Sequence, residues 1–339
     1  MSTSPLRVGI AGVGYWGRNL LRTFAKLPTA RIARLCDLDP ARRLALKEEH
    51  PELPVSDDYA AFVAASDLDA VLVATPPSRH HAMALAALQA GKHVWVEKPL
   101  ALTAADGREL VAAARAAKRT LFVDETFLYD PLVNEMRRQV ESGALGEILH
   151  LSFERLGMGR IRRDSNVWWN SAPHDLSILF HLVPRPVVHV RLHLHEYLQP
   201  GIADMATCDL ELEGGVSAHV YLSWLHPEKK ASVHVIGRER MLAYEGRFEQ
   251  RAVTLYDYRI DRTAPTGNPS MAPIIPITGF EGRRLDVAAG DEPLACAAAH
   301  FVECIRTGEE PRSSGARSLR VVETLEAADR GATRGDSRS

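Results

Sequence analysis

Cysteine is scarce in this chain of 339 residues: Cys36, Cys208, Cys296 and Cys304 stand far apart, with no Cys-x-x-Cys spacing. That excludes a disulfide-built scaffold and a ribbon-type zinc site, and it fits reduced thiols in a cytoplasmic protein. Long apolar runs are missing too, so no segment of the sequence has the length to cross a membrane as a helix. No basic-then-apolar leader follows Met1, and the expectation is a chain that is not secreted. Neither sign of charge dominates: 41 Lys and Arg against 43 Asp and Glu leave a formal net charge of −2. A chain so balanced has no global attraction for nucleic acid. What remains is ordinary globular composition, 46% hydrophobic and 25% charged, at a length that holds two domains.

The first third alternates strand and helix patterns. Apolar runs over residues 6–11, 32–36, 69–74, 93–96 and 120–123 read as strands. Between them, residues 17–27 carry Leu20, Leu21, Phe24 and Leu27 at helical spacing, and 40–50 opens on a helix-starting proline. Residues 78–90 form a helix stopped by Gly91, and 103–118 are alanine-rich. This repeated order implies a parallel sheet with right-handed crossovers. Past Glu125 the pattern changes. A helix over 131–141 is followed by strands at 207–212 and 216–224 around Gly214-Gly215, a two-residue hairpin signal. Strands at 231–236, 241–244 and 252–256 extend the same sheet. Residues 261–279 hold four prolines and two glycines and read as a surface loop. Helices return at 293–306 and 317–330.

The expected fold is an α/β Rossmann domain with a doubly wound parallel sheet over residues 1–125. An α+β domain with an open, mainly antiparallel sheet follows over 126–330 and is expected to bind substrate and mediate self-association. The polar tail, 331–339, is expected to be disordered.

The first strand ends in Gly12-Val13-Gly14-Tyr15-Trp16-Gly17. Gly12 permits a tight turn, Gly14 lets the backbone approach a pyrophosphate, and Gly17 lets the helix pack on the strand. Phosphates then sit at the positive end of the helix. Asp37, twenty residues past Gly17, closes the second strand, where an acid accepts both ribose hydroxyls and repels the 2′-phosphate of NADP. NAD is therefore expected, with NADP left open. Arg42 and Arg43 read as a solvated helix face.

Glu97-Lys98-Pro99 closes the short strand Val94-Trp95-Val96. Strand ends at the carboxyl edge of a parallel sheet deliver side chains to the ligand crevice. A lysine there can hydrogen-bond a substrate oxygen and stabilise a developing alkoxide. The Lys98–Pro99 bond is expected to be cis.

Taken with Ala74-Thr75-Pro76, His80, Gly91-Lys92-His93-Val94, residues 126–131 and Ala172-Pro173-His174-Asp175, these motifs make the chain resemble the Gfo/Idh/MocA oxidoreductases over nearly its whole length. Members of that family act on sugars, cyclitols and nucleotide sugars. The resemblance implies a catalytic pair, Lys98 and His174, with the imidazole accepting a proton in oxidation and donating it in reduction. Many members carry aspartate four residues before this histidine, where this chain has Asn170. An amide cannot relay a proton, though it can bind a sugar hydroxyl. The cofactor is expected to meet Gly12, Gly14, Tyr15, Trp16, Gly17, Asp37, Thr75, Pro76, His80, Glu97 and Lys98. The substrate is expected to meet Lys98, Tyr129, Arg160, Trp169, Asn170 and His174. Arg163 and Trp168 lie in the same segments, Asp175 either anchors its helix or acts, and Asp124 is a candidate contact for an amino sugar.

The leading reading is an NAD-dependent dehydrogenase of a secondary hydroxyl, at C3 of a hexose or nucleotide sugar, or the reverse reductase. Alternatives are an NADPH-dependent ketoreductase on a sugar or aminoglycoside-type intermediate, an NAD-retaining glycosidase, and a cofactor-sensing regulator. No metal is expected: His193-x-His195 lacks a third ligand and is assigned to the sheet surface of a homodimer or homotetramer. That assembly is expected because residues 216–223 put apolar groups on one side of a strand and a mixed set on the other.

Overall fold

A computed structural model describes residues 4–159, 161–247, 250–260, 277–288 and 290–334. In chain order the first elements are β1 (Leu6–Ala11), α1 (Tyr15–Ala25), β2 (Ala30–Cys36), α2 (Pro40–Glu49), β3 (Val55–Ser56), α3 (Tyr59–Ala64) and β4 (Ala70–Val73). Then come α4 (His80–Gln89), β5 (His93–Val96), α5 (Ala104–Ala117) and β6 (Leu121–Val123). The six strands form one parallel sheet in the order β3-β2-β1-β4-β5-β6. The order reverses between β1 and β4, which is where such sheets open a ligand crevice.

Next follow α6 (Pro131–Glu141), β7 (Ile148–Leu156), α7 (Val167–Leu182), β8 (Val187–His195), β9 (Met205–Leu212), β10 (Val216–Ser223) and β11 (Lys230–Gly237). β12 (Arg240–Arg247), β13 (Gln250–Ile260), β14 (Ile277–Arg284), α8 (Pro293–Thr307), α9 (Gly315–Arg330) and β15 (Thr333–Arg334) complete the described chain. The second sheet runs β14-β13-β12-β11-β7-β10-β9-β8-β15, antiparallel except for the β7–β10 and β8–β15 pairs. One face of β10, with Val216, Ala218, Val220 and Leu222, is buried, and α7 packs on β7, β9 and β10.

The chain divides into two compact units, but not where the sequence suggested. Unit 1 holds residues 1–130 together with 290–326; unit 2 holds 131–289 and 327–339. The returning helices were assigned to the second domain; α8 and most of α9 belong to the first. Alternation along the strands explains it. Val71, Val73, Val94, Val96, Leu121 and Val123 face one side, where α4 and α5 bury them. Leu72, Trp95 and Phe122 face the other, packed with α1 and α8. Trp95 stacks on Phe122 with ring centroids 4.3 Å apart, and Phe301 of α8 meets both rings edge-on at 5.6 and 5.4 Å. Without α8, two large aromatics would lie in water.

Three further expectations change. The turn between β9 and β10 spans three residues, Glu213 to Gly215, because Leu212 pairs with Val216; both glycines have positive φ. Ile277 to Gly279 belong to β14, while the rest of the proposed loop, 261–276, lies outside the described residues. The tail begins with β15, paired in parallel with β8 at His193 and Leu194; residues 335–339 lie outside the described set.

Candidate functional site

In unit 1 the β1–α1 turn is built as the glycines demand. Gly12 has φ +87°, and a Cβ there would lie 2.8 Å from the backbone of Ala74, at the end of the neighbouring strand β4. At Gly17 a Cβ would lie 2.0 Å from the Gly12 carbonyl oxygen. Gly14 caps α1 without any side-chain hydrogen bond, and the first turn of the helix has no acid. A Cβ at Gly14 would meet only the Arg42 guanidinium, at 3.7 Å. The helix therefore presents its N-terminal N–H groups beside open space, and a dinucleotide pyrophosphate fits there.

Asp37 is 6% exposed and fixed by two backbone donors: Val13 N–H at 2.7 Å on one oxygen and Asp39 N–H at 2.9 Å on the other. This ties the acid to the glycine turn. Each carboxylate oxygen keeps lone-pair capacity for a further donor. Arg42 is half-exposed, 3.7 Å from Asp37 and 3.4 Å from Asp39. Arg43 is no solvated residue: it donates to the carbonyls of Asp37 and Leu38 at 3.0 and 2.8 Å and pairs with Asp57.

Thr75 and Pro76 follow β4, with the Thr75 methyl against Gly12. His80, 1% exposed, bridges the two loops that leave β4 and β5: Nδ1 lies 2.8 Å from Pro99 O and Nε2 2.9 Å from Thr75 O. Burial pushes this imidazole's pKa down. Glu97 N–H donates to Val73 O at 2.9 Å, continuing the sheet, and the Lys98–Pro99 peptide is cis. Lys98 is part-buried, Tyr15 is exposed, and Trp16 reaches Asp124. All the expected cofactor residues thus gather at the carboxyl edge of unit 1 or on the α1 and α2 segments above it.

Two substrate candidates move. Tyr129 is 5% exposed in the core of unit 1, stacked on Phe122, its hydroxyl 3.2 Å from Ser313 and its ring under the Arg312 guanidinium. Asp124 is 1% exposed, with its oxygens engaged by Trp16 and Thr126, so it does not reach out to an amino sugar.

In unit 2, Asn166 caps α7 by accepting from Trp169 N–H at 3.0 Å. The helix is buried almost throughout, Trp168 included, yet Asn170 and His174, one turn apart on one face, stay part-exposed. Trp169 is part-exposed, its indole donating to Asp329 at 3.0 Å. Asp175, 1% exposed, is an anchor: Arg155 of β7 grips it with two bonds of 2.7 and 3.0 Å. Sequence reading missed Arg155, which sits in a strand that it also missed. Arg163 is exposed, and Arg160 lies outside the described residues. His193 meets Thr333 of β15, and His195 stacks on Tyr197.

Comparison with known proteins fits this geometry. Residues 6–125 match a family described as oxidoreductases with an NAD-binding Rossmann fold, and residues 133–243 match the GFO/IDH/MocA C-terminal domain. A D-apiose dehydrogenase of Paraburkholderia graminis is 28% identical over 94% of this chain and 85% of its own length. A UDP-N-acetylglucosamine 3-dehydrogenase of Acidithiobacillus ferrooxidans has the same fold, with TM-score 0.82, 23% identity, and coverage of 96% of this chain and 97% of that one. So does a 3-ketoreductase from Actinomadura kijaniata, solved with NADP and TDP-benzene, with TM-score 0.82 and 20% identity over 98% and 99% of the two chains. Among the described residues no helix is long and apolar enough to cross a membrane. Two consecutive family matches in the expected order, on a sheet whose glycine turn fits a dinucleotide, place this NAD(P)-binding oxidoreductase in the Gfo/Idh/MocA family.

Proposed function

We propose that the protein oxidises a secondary hydroxyl of a hexose or nucleotide sugar, at C3, or reduces the matching ketone, with NAD as the preferred cofactor. The observation that carries the reading is the pattern on α7. A helix buried along nearly its whole length keeps Asn170 and His174 accessible on one face, and these residues suit a hydroxylated substrate. Bound nicotinamide supplies the hydride acceptor, or the donor in the reverse direction. Lys98 hydrogen-bonds the reacting oxygen and stabilises the negative charge that develops there. His174 takes the hydroxyl proton in oxidation and returns it in reduction, since imidazole ordinarily titrates near neutrality. Asn170 donates to or accepts from a neighbouring hydroxyl and relays no proton.

Asp37 favours NAD, because a carboxylate at the ribose repels a 2′-phosphate. Arg42 supports a second reading, NADP use, because its half-exposed guanidinium stands between Asp37 and Gly14. Position 3 and the sugar class are supported by the fold relatives, a UDP-N-acetylglucosamine 3-dehydrogenase and a 3-ketoreductase. Free sugars and nucleotide sugars should be screened with both cofactors for change in nicotinamide absorbance. No turnover with any sugar, or turnover only on non-sugar alcohols, sinks the substrate reading. His174→Ala should cut the rate sharply and remove the near-neutral limb of the pH profile.

We also propose that the second sheet packs against a second copy of the chain. Its outer face carries Ser217, His219 and Tyr221 together with the pairs His219–Asp209, His150–Ser217 and Lys230–Glu154. Paired polar groups of this kind suit an isologous contact. Light scattering that gives the monomer mass at micromolar concentration would rule it out.

A further inference from the structure

Val96 of β5 pairs with Val123 of β6, so the next residue on each strand, Glu97 and Asp124, reaches the same point of the carboxyl edge. Asp124 N–H donates to Val96 O at 2.9 Å and completes the alignment. The Trp16 indole donates to Asp124, and Glu97 stands near enough to feel the Asp124 charge. Asp124 accepts on each oxygen, from Trp16 Nε1 at 3.1 Å and from Thr126 Oγ1 at 2.8 Å. Glu97 Oε1 is buried with no hydrogen-bond partner among the described residues.

Asp124 accepts from two donors, whereas Glu97 Oε1 is buried with none, so of the two acids Asp124 is the one equipped to hold a negative charge. We propose that Glu97 and Asp124 act as one proton-sharing pair, with Glu97 neutral and Asp124 the carboxylate, and that the pair sets the charge beside Lys98. A neutral Glu97 leaves Lys98 facing one carboxylate where two would otherwise stand. The bare carbonyl oxygen Oε1 is then an uncharged acceptor. Trp16 gives the pair its reach, because it joins the acid beyond β6 to the first turn of the dinucleotide-binding helix. Two neighbouring carboxyls cannot both ionise readily. Consistent with this, burial and the Asp124 charge hold Glu97 well above the usual carboxylate range. The charged and titratable groups nearby are Asp124 beyond β6, Lys98 on the same segment, Glu125 next to Asp124, and His80 near Lys98.

Glu97 and Asp124 are positioning residues here. Their role rests on the reading of Lys98 given above, so the test separates the two. Infrared spectra of the full-length protein at pH 7 should show the carbonyl band of protonated carboxylic acids, with contributions from Glu97 and Glu125. Glu125→Gln should remove one contribution and Glu97→Gln the other. In Asp124→Asn the Glu97 contribution should survive only at lower pH. Asp124→Asn should leave kcat near the wild-type value at pH 8, where ionised Glu97 restores one carboxylate beside Lys98, and lower it by about 10-fold as pH falls and Glu97 takes its proton, whereas a purely structural role gives one penalty at every pH. If Glu97→Gln leaves the acid band unchanged, or the Asp124→Asn penalty is independent of pH, the pair is refuted. Should Asp124→Asn fail to fold, the Glu97→Gln spectrum alone decides. An inactive Lys98 with an intact acid band would confirm the pair and its charge; a fully active Lys98→Ala would refute the catalytic reading and leave the band result standing.

Discussion

The two edges of the parallel sheet in unit 1 are built from the same strands and treat charge in opposite ways. At the amino edge a cleft of about 1020 Å³ is lined by Arg7, Arg31, Lys92, Arg119 and Arg306, with Asp69 as its one acid. Most of its cations are spent on the fold. Lys92 donates to the carbonyls of Ala65 and Leu68 at 2.8 and 3.0 Å, Arg119 to Gly91 O at 2.5 Å, and Arg7 grips Asp69 with bonds of 2.6 and 3.0 Å. Helix C-termini collect on this side, where cations complement unpaired carbonyls. At the carboxyl edge acids are withdrawn from water and left partly unsatisfied: Asp124 and Glu125 are buried, and among the described residues one oxygen of Glu97 has no partner. Satisfied charge marks architecture. Buried, half-satisfied acids beside a glycine turn mark chemistry.

The sharpest break of that comparison exchanges one lysine at each edge. Lys98→Ala should lower turnover at least ~10²-fold while cofactor affinity stays within a few-fold, because stabilising a developing oxyanion is worth about that much. Lys92→Met should leave turnover alone and cost about 1–2 kcal/mol of stability, since two carbonyls lose their donor. Steady-state kinetics and urea unfolding of both variants decide it. A Lys92 variant that is stable and slow, or a Lys98 variant that is unstable and fast, would erase the distinction.

A second test asks whether the carboxyl edge depends on the glycine turn. In Gly17→Ala the new methyl would meet the Gly12 carbonyl at 2.0 Å, so α1 must shift away from β1. Cofactor affinity should fall by 10-fold or more, because the phosphate site is made of α1's own N–H groups. Gly91→Ala is the control, at the amino edge with open space around its Cβ; there the cost is backbone strain at φ +74° and not cofactor binding. Equal affinities in titrations of the two variants would contradict the reading.

Much of this was legible in the sequence, and the failures share a cause. Strand, glycine turn, helix and acid lie within one stretch of chain, so Gly12, Gly14, Gly17 and Asp37 could be read by spacing. Glu97 with Asp124 could not, because 27 residues separate them and only the pairing of β5 with β6 brings them together. The return of α8 depends on which face of the sheet the crossovers leave bare, a three-dimensional fact. Tyr129 was misplaced because an aromatic in a motif looks the same whether it lines a cleft or fills a core. The helix α7 was missed because it is buried on nearly all sides and shows no amphipathic stripe. Asn170 and His174, two of its part-exposed residues, were found from the motif, not from periodicity.

The smallest effect is a slope, and it gives the two edges opposite signs. Burial pushes the Glu125 carboxyl up to about 8, against about 4.3 for an unfolded glutamate. Between those values the native state holds a proton that the unfolded chain has released. Stability from this group is therefore complete below the unfolded pKa and is lost as pH rises towards 8, by at most about 1.4 kcal/mol per pH unit. Glutamine cannot titrate, so Glu125→Gln should gain on the wild type in urea unfolding at pH 6, 7 and 8, in that order. Glu97 is present in both proteins and cancels in the difference. At the amino edge, His93 accepts the Thr120 N–H at 3.0 Å and burial pushes it down to about 4. Its folded pKa lies below the unfolded value of about 6.5, so its contribution is lost as pH falls from 6.5 towards 4. His93→Gln should accordingly flatten the acid side of the stability profile and leave the alkaline side unchanged. Parallel wild-type and Glu125→Gln profiles above pH 6 would mean that Glu125 is ionised in the native protein.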